Sequence, residues 1–236
     1  MPVFRLPREN HFPPVEFTEP NGLLAVGGDL SVHRLLAAYR CGIFPWYSAG
    51  EPLLWWSPDP RMVLKPAWFH LPGSLKKTLR QGRFRLTLDH SFSEVIRACG
   101  EVRQEKGTWI TGEMVAAYIR LHEIGFAHSA EAWSTDTDPS RLVGGVYGVA
   151  IGGCFFGESM FFKEADASKC AFAFLVETLR QKGFTLIDCQ MHTAHLARFG
   201  AREISRRQFL AELKEGLMRP VPQESWGGVA DPLSSK

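Results

Sequence analysis

The sequence predicts an α+β fold, in which helices pack on a mostly antiparallel sheet that follows a small N-terminal domain. The first observation is that residues 1–60 are rich in Pro, Gly and aromatic residues and contain one clear helical pattern. From Arg61 onward, strand patterns and helix patterns alternate along the chain. Two central strands, in 141–151 and 153–157, follow each other closely enough to form a hairpin. We therefore expect one domain over 1–62 and a second over 63–236.

One helix is predicted in the N-terminal segment. Ser31 can cap its start and Gly42 can end it. Between them, Leu35, Leu36 and Tyr39 form an apolar stripe at helical spacing. The segment that follows is turn-rich, and four of the seven tryptophans lie between positions 46 and 68.

The larger domain is expected to contain six strands and six helices. The strands are predicted near 61–65, 84–88, 128–133, 141–151, 153–157 and 184–189. The helices are predicted near 74–81, 91–104, 112–124, 167–182, 192–199 and 205–217.

The composition excludes several protein classes. With 45% apolar and 22% charged residues, the chain of 236 residues is globular rather than disordered or fibrous. No apolar run approaches the roughly 20 residues of a membrane-spanning helix, and no secretory signal is expected. The five cysteines are scattered and form no C-x-x-C pair, which argues against a disulfide framework and a structural zinc site. We expect a cytoplasmic protein with no membrane partner and no metal.

A basic segment lies between residues 76 and 85. The whole chain has a net charge of only +2, yet residues 61–110 contain 10 basic and 4 acidic groups. The centre of this excess has no acidic residue and consists of Lys76, Lys77, Arg80, Arg83 and Arg85. A phosphate-bearing partner would explain the segment, and so would an ordinary solvated helix face.

The segment LIDCQ at 186–190 ends a predicted buried strand. Side chains alternate along a strand, so Asp188 and Gln190 are expected on one side and Cys189 on the other. A buried carboxylate is costly unless it is paired or used. Asp188 is therefore either a general base or electrostatic group, or half of a structural ion pair, and the residues leave both open.

Glu158 is a second candidate carboxylate. In a continued strand it shares a face with Cys154 and Phe156, so the acid follows apolar neighbours. It could receive a cationic group of a substrate. A salt bridge to Lys163 or Lys169 is the alternative.

Trp46 and Trp109 are predicted in loops. Trp46 follows a Phe-Pro turn, and Trp109 precedes a helix that Thr111 can cap. Indoles in loops can stack on nucleobases or sugars. Closure over a small core would explain them equally well.

Common catalytic and nucleotide-binding motifs are absent. The sequence has no G-x-G-x-x-G and no G-x-x-x-x-G-K-[ST], which argues against dinucleotide and nucleoside triphosphate sites. It has no H-E-x-x-H, and His192 and His195 have no acidic or Cys ligand beside them. The lack of G-x-S-x-G disfavours a serine hydrolase.

Eight segments, in order from about Glu19 to about Phe209, resemble the signature blocks of the leucyl/phenylalanyl-tRNA–protein transferases. They are EPNGLLAVGGDLS (19–31), GIFPW (42–46), LLWWSPDPR (53–61), GTWIT (107–111), GGVYGVAIGG (144–153), FFGESMF (155–161), ASK (167–169) and IDCQ (187–190).

The resemblance implies an enzyme. Such enzymes move Leu, Phe or, less well, Met from aminoacyl-tRNA onto the α-amino group of proteins that begin with Arg or Lys, which marks the product for degradation. The family fold is a small N-terminal domain plus a domain like the GCN5-related acetyltransferases. The sequence has no Gly-rich pyrophosphate loop after CFFGES, in agreement with an acyl donor other than coenzyme A. No cofactor is implied, and a monomer is expected.

The resemblance also implies residue roles. Trp46 and Trp109 match the pair that sandwiches the terminal adenine of tRNA, and Tyr39 matches a further adenosine contact. Glu158 matches the acid that meets the N-terminal Arg or Lys of the protein substrate. Asp188 and Gln190 match the pair that acts on the attacking amine.

The resemblance gives weight to two further predictions. The aminoacyl side chain is expected to enter an apolar pocket walled by Val146, Leu175 and Ile187. The basic segment is expected to follow the tRNA backbone.

Two functions of other classes remain as alternatives. A glycoside-acting enzyme would use loop tryptophans and a carboxylate pair, here Glu158 with Asp188. A non-catalytic RNA-binding module would use the tryptophans and the basic segment and would not need Asp188.

Overall fold

Two β-sheets and the helices packed on them form the part of the chain that the computed structural model describes. This part comprises residues 3–7, 9, 11–102, 108–136, 141–221, 226 and 228–229. The smaller sheet lies within residues 4–56, and the larger sheet begins at residue 61. The predicted α+β class is confirmed. The division into domains at 62/63 stays a prediction.

The smaller sheet contains four short strands in the order β1-β2-β4-β3. The strands are β1 (Phe4–Arg5), β2 (Leu23–Val26), β3 (Phe44–Pro45) and β4 (Leu54–Trp56). The predicted helix is present as α1 (Val32–Arg40), whose first turn is capped by the Ser31 side chain. Gly42 follows the helix in a left-handed conformation with φ of 72°, as expected of a helix stop.

The larger sheet contains eight strands in the order β11-β5-β10-β9-β8-β7-β6-β12. All neighbours are antiparallel except β9 and β10, which are parallel. The strands are β5 (Arg61–Leu64), β6 (Phe84–Leu88), β7 (Ala127–Ser134), β8 (Leu142–Ile151), β9 (Cys154–Phe162), β10 (Leu186–Gln190), β11 (Arg202–Ile204) and β12 (Gly228–Val229). The predicted hairpin is β8–β9, whose last pair joins Ile151 and Cys154.

Six further helices accompany the larger sheet. They are α2 (Gly73–Arg80), α3 (Phe92–Glu101), α4 (Gly112–Glu123), α5 (Ala167–Gln181), α6 (Ala194–Ala197) and α7 (Arg206–Leu217). The helix predicted over 192–199 is thus limited to one turn. None of the helices in the described residues has both the length and the apolar character needed to cross a membrane.

The helices cover both faces of the larger sheet. On one face α2 and α5 pack over strand residues such as Leu86, Val146 and Ile187. On the other face α1, α3, α4 and α7 share one core with the smaller sheet. Tyr147 and Phe156 of the larger sheet are part of this core. Because that core is continuous, the smaller sheet is held against the larger one by apolar packing.

β9 and β10 separate in the middle of the larger sheet. Their parallel pairing ends at Phe156 and Asp188. Just beyond this pair β9 bulges against β8, leaving Glu158 as the extra residue, and β10 bulges against β5, leaving out Cys189. The two bulges turn the strands apart, which opens a gap in the sheet at this level.

A side chain at Gly148 should destabilise the fold. Gly148 pairs with Gly157 beside the β9 bulge, and a Cβ there would overlap the carbonyl oxygen of Phe156 and lie 2.6 Å from the Phe155 ring. We expect Gly148→Ala to lower the free energy of unfolding by about 1–3 kcal/mol or more, measured by urea denaturation. Gly112→Ala is the matched control, because nothing lies within 4 Å of a Cβ at that position. Equal stability of the two variants would contradict the close packing at the bulge.

Candidate active site

A cavity of about 390 Å³ opens at the gap between β9 and β10. The smaller sheet contributes Phe44 and the residues after it. The larger sheet, α5, α6 and the loops before α4 and after β10 contribute the remaining walls. Most lining side chains are apolar or aromatic. Among the described lining residues, Glu158 is the one carboxylate. An apolar cavity with few polar groups is typical of a small-molecule or acyl-group site.

Trp46 and Trp109 both line this cavity. Trp46 follows β3 and is 37% exposed, and its carbonyl accepts a hydrogen bond of 2.7 Å from the Trp56 indole. Trp109 lies just before Thr111, whose side chain caps α4. The Tyr47 and Thr111 hydroxyls are 3.1 Å apart, which links the two tryptophan loops. The structure therefore brings the two indoles to one site from distant parts of the sequence.

Val146 and Ile187 contribute to the apolar wall, together with Phe155, Met160 and Phe172. Leu175 was predicted to be part of the same wall, but its side chain lies elsewhere. It is fully buried in the core between α5 and the sheet and is not among the described residues that line the cavity. Phe172, one turn earlier on α5, takes the position that the sequence prediction gave to Leu175.

Glu158 has three hydrogen-bond donors around its carboxylate. The Tyr39 hydroxyl and the Gln190 amide donate to Oε1 at 2.8 and 2.9 Å, and the Tyr118 hydroxyl donates to Oε2 at 2.9 Å. The alternative of a salt bridge to Lys163 or Lys169 is not what the structure contains: Lys169 pairs with Asp166 at 2.7 Å. Oε2 retains capacity for a further donor from the cavity.

Burial raises the pKa of the Glu158 carboxyl to about 7. Loss of solvation is the main cause, and the charge of Asp188 adds to it, whereas the hydrogen bonds from Tyr39, Tyr118 and Gln190 favour the charged form. Glu158 is therefore close to half ionised at neutral pH, and a cation in the cavity would favour its ionised form.

Tyr39 lies behind Glu158 rather than in the cavity wall. Its side chain is 1% exposed, its hydroxyl donates to Glu158, and the Tyr118 hydroxyl lies next to it. Burial raises the pKa of both tyrosines well above the usual value, so both hydroxyls remain donors. Tyr118, which the sequence prediction missed, is an apolar-face residue of α4, and a sequence pattern cannot separate such a residue from ordinary core.

Asp188 is half of a buried ion pair with Arg61. The two side chains are each 1% exposed, and the guanidinium Nε and Nη2 donate to Oδ1 and Oδ2 at 2.8 and 2.6 Å. Of the two possibilities left open for Asp188, the structure therefore contains the ion pair. Asp188 is not among the described lining residues of the cavity. Sequence reasoning missed Arg61, which lies 127 positions before Asp188 and meets it only because β5 pairs with β10.

Gln190 reaches the cavity because β10 bulges. Its backbone is left-handed, with φ of 63°, and its N–H donates to Asp188 Oδ1 at 2.9 Å. The bulge breaks the predicted alternation, so that Cys189 and Gln190 both line the cavity while Asp188 is buried. The Gln190 amide is thereby directed to Glu158.

The basic segment lies outside the cavity. Lys76, Lys77 and Arg80 are exposed on α2, and Arg83 is exposed just before β6. Arg85 is half-buried in β6, with its guanidinium 5.4 Å from the centre of the Trp133 ring. The segment is thus a solvent-exposed surface, and it is free to meet a large anionic partner.

Metal and thiol chemistry have no support in the described part of the chain. There, no group of three His, Cys, Asp or Glu residues is arranged to hold a metal ion. Burial raises the pKa of Cys154 and Cys170 to about 12 and also raises that of Cys189. The Cys189 thiol in the cavity wall therefore stays protonated and is a poor nucleophile.

The arrangement argues against glycoside hydrolysis. A glycoside-acting site needs two carboxylates facing one cavity. Glu158 faces the cavity, whereas Asp188 is buried, pairs with Arg61 and is not among the described lining residues. What remains is an apolar pocket, two indoles and one carboxylate that can receive a cation.

Two protein-family models match the chain. The model of the leucyl/phenylalanyl-tRNA protein transferase matches residues 63–214, and that of the N-terminal domain of the same proteins matches residues 28–59. Among solved structures, FemX is similar with a TM-score of 0.44 and 10% identity, over 74% of this chain and 66% of that chain. That score is too low to assign a fold family, and the α+β class rests on the architecture described above.

Curated relatives share more than half of their residues with this chain. A leucyl/phenylalanyl-tRNA–protein transferase of Magnetococcus marinus is 58% identical over 98% of this chain and 99% of its own length. Proteins of the same name are 56% identical in Anaeromyxobacter sp., over 98% of this chain and 100% of their own length, and in Syntrophobacter fumaroxidans, over 97% of each. The chain therefore belongs to the leucyl/phenylalanyl-tRNA–protein transferase family and is an aminoacyltransferase.

Proposed function

We propose that this aminoacyltransferase moves Leu, Phe and, less well, Met from aminoacyl-tRNA to the α-amino group of proteins that begin with Arg or Lys. The new N-terminal residue then marks the product for degradation. The observation that carries the proposal is the cavity, which places two indoles, an apolar pocket and Glu158 within one enclosure. Because the donor is a tRNA, we propose that the enzyme acts in the cytoplasm. We also propose that it is a monomer.

The donor's aminoacyl-adenosine occupies the cavity in this proposal. The terminal adenine stacks between Trp46 and Trp109, and base stacking on an aromatic side chain contributes about 1–3 kcal/mol. The aminoacyl side chain enters the apolar wall formed by Val146, Ile187 and Phe172. These walls hold no charge, which suits Leu, Phe and Met and excludes charged side chains.

The acceptor's cationic side chain pairs with Glu158. Support comes from the free capacity at Oε2 and from the location of the carboxylate in the cavity wall. Tyr39 and Tyr118 orient the carboxylate from behind. Tyr39 thus supports the acid in this proposal instead of contacting adenosine.

The transfer itself joins a free amine to an activated ester. The α-amino nitrogen attacks the ester carbonyl carbon, the C–N bond forms as the C–O bond to the ribose breaks, and one amine proton ends on the ribose oxygen. An N-terminal amine has a pKa of about 7.7–8.0, so a useful fraction is neutral at physiological pH. Alignment is then the main catalytic contribution, with an upper range of about 7–11 kcal/mol.

Asp188 and Gln190 organise the amine in this proposal. Gln190 lines the cavity and can orient the nitrogen, while Asp188 fixes Gln190 through its backbone N–H. Because Asp188 is buried in an ion pair with Arg61 and is not among the described cavity-lining residues, we assign Asp188 an electrostatic and organising role, with the ribose hydroxyl relaying the proton.

Transfer of label from charged tRNA tests the activity. Purified protein is incubated with labelled Phe-tRNA or Leu-tRNA and either a peptide that begins with Arg or the same peptide with an acetylated N-terminus. We expect label only on the free peptide, because acetylation removes the nucleophile. Folded protein that transfers no label from any charged tRNA would overturn the proposed function.

The preference for a cationic N-terminal residue should increase with pH through about 7, the pKa to which burial raises Glu158. The measurement is the ratio of kcat/KM for a peptide that begins with Arg to that for one that begins with citrulline, which is similar in shape and neutral. The ionisation of the α-amine is common to both peptides and cancels in the ratio. The ionised carboxylate binds the cation, so we expect a ratio of about tenfold to a hundredfold at high pH.

Glu158→Gln should make that ratio flat with pH and close to one. Glu131→Gln is the matched control, because Glu131 is also a buried carboxylate of the larger sheet and is not among the cavity-lining residues. A wild-type ratio that stays constant from pH 5.5 to pH 8.5 would rule out Glu158 as the cation partner.

Neutralising the basic segment should weaken tRNA binding. We expect the triple change Lys76→Ala, Lys77→Ala and Arg80→Ala to reduce the slope of log Kd against log salt by about two to three units, since each phosphate contact contributes about 0.9. Filter binding over a range of salt concentrations measures the slope.

A second triple variant controls for net charge. Arg207→Ala, Lys214→Ala and Arg219→Ala remove three exposed cations on and just after α7, which packs on the opposite face of the sheet from α2. This variant should keep the wild-type slope. If both variants change the slope equally, only the total charge matters and the segment has no specific role.

A further inference from the structure

Arg61 is the group on which three parts of the site converge. It is the first residue of β5, and its side chain is 1% exposed. The guanidinium Nε and Nη2 bind Asp188, and the guanidinium carbon lies 4.8 Å from the centre of the Phe44 ring and 4.6 Å from the centre of the Phe209 ring. Phe44 belongs to the smaller sheet and lines the cavity, and Phe209 belongs to α7.

We infer that Arg61 is a positioning residue of the transfer reaction: by clamping Asp188 it fixes the turn at Gln190 that holds the Gln190 amide on Glu158. This inference rests on the proposed function. Arg61 itself lies outside the described cavity lining and acts through other residues.

The first step of the argument is the position of the Asp188 carboxylate. Two parallel hydrogen bonds from a planar guanidinium fix both the place and the plane of a carboxylate, which a single bond from an ammonium cannot do. With its plane fixed, Oδ1 is shared between the Arg61 Nε at 2.8 Å and the Gln190 N–H at 2.9 Å.

The second step is the backbone at Gln190. A residue other than glycine is disfavoured at a φ of 63° and requires local stabilisation. The hydrogen bond from its N–H to Asp188 supplies this stabilisation, in a bulge that leaves Cys189 without a partner on β5. The side chain then points to Glu158, which its amide reaches at 2.9 Å.

The third step is the orientation of Arg61 itself. Its contacts with the Phe44 and Phe209 rings restrict where the guanidinium can lie while it binds Asp188. Phe44 also lines the cavity, two residues before Trp46. One cation therefore ties the smaller sheet, α7 and β10 together next to the site.

Arg61→Lys is the decisive variant, because it keeps the charge and removes the fixed two-bond geometry. We expect kcat for transfer to the Arg-initiated peptide to fall at least tenfold, with little change in the Kd for Phe-tRNA. Arg34→Lys is the matched control. Arg34 is also fully buried and pairs with an acid, but that acid is Asp29, which accepts from the Ser31 N–H at the start of α1 and not from Gln190. It should keep the wild-type kcat even if it loses stability.

The pH dependence of the arginine-to-citrulline ratio shows whether Arg61 positions Gln190 or only stabilises the fold. Glu158 is faced by Tyr39 and Tyr118 from the helices and by Asp188 and Gln190 from β10. The Gln190 amide favours the ionised carboxylate, so its displacement should move the midpoint of the arginine-to-citrulline ratio to higher pH. Arg61→Lys and Gln190→Ala should both show this upward shift, and Arg34→Lys should not.

A double-mutant cycle tests the route through Gln190. If Arg61 acts through Gln190, adding Arg61→Lys to Gln190→Ala should cause little further loss of kcat. Losses that multiply would overturn the inference, as would an unchanged pH midpoint or a wild-type kcat in Arg61→Lys. If Arg61→Lys does not fold, Phe209→Leu provides the comparison, because it keeps the Arg61–Asp188 pair and removes one of the two ring contacts of the guanidinium. Wild-type protein that transfers no label would instead contradict the proposed function.

Discussion

The separation of β9 from β10 after the pair Phe156–Asp188 is the constraint on which the site depends. Two parallel strands in the middle of a sheet normally continue side by side, and their backbone groups satisfy each other. Here both strands bulge at one level, which creates room for a cavity within the layer of the sheet. The same bulges place Glu158 and Gln190 on the cavity wall and leave Asp188 buried in the protein interior.

Of the two carboxylates next to this gap, one is neutralised by a cation of the protein and the other is not. Asp188 and Arg61 cancel each other in a buried pair, whereas Glu158 has only hydroxyl and amide donors. A pair of opposite charges in a low-dielectric interior contributes more to a defined geometry than to net stability. Glu158, without a cationic partner among its described contacts, remains able to respond to an incoming one.

The sequence was sufficient for most of the fold and only partly sufficient for the site. Long periodic segments such as β8 and α5 were predicted to within about three residues, but β11, β12 and the strands of the smaller sheet have two to four residues and no readable period. The family blocks directed attention to Glu158, Asp188 and Gln190, yet the alternation rule misplaced Gln190 because a bulge leaves no mark in one sequence. Arg61 and Tyr118 were missed because their roles depend on contacts between distant positions. Arg61 and Asp188 are separated by 127 positions in the sequence, and Tyr118 and Glu158 by 40.

The hydrogen bond between Tyr47 and Thr111 has an implication for how the chain can be recombined. Thr111 also caps α4 with the same oxygen, so one hydroxyl sets both the start of a helix and the approach of the loop that carries Trp46. The two indole-bearing segments are therefore matched to each other and not only to their ligand. Chimeras that exchange residues 1–60 between relatives would need to preserve this matched contact, because each half supplies one of the two indoles that line the cavity.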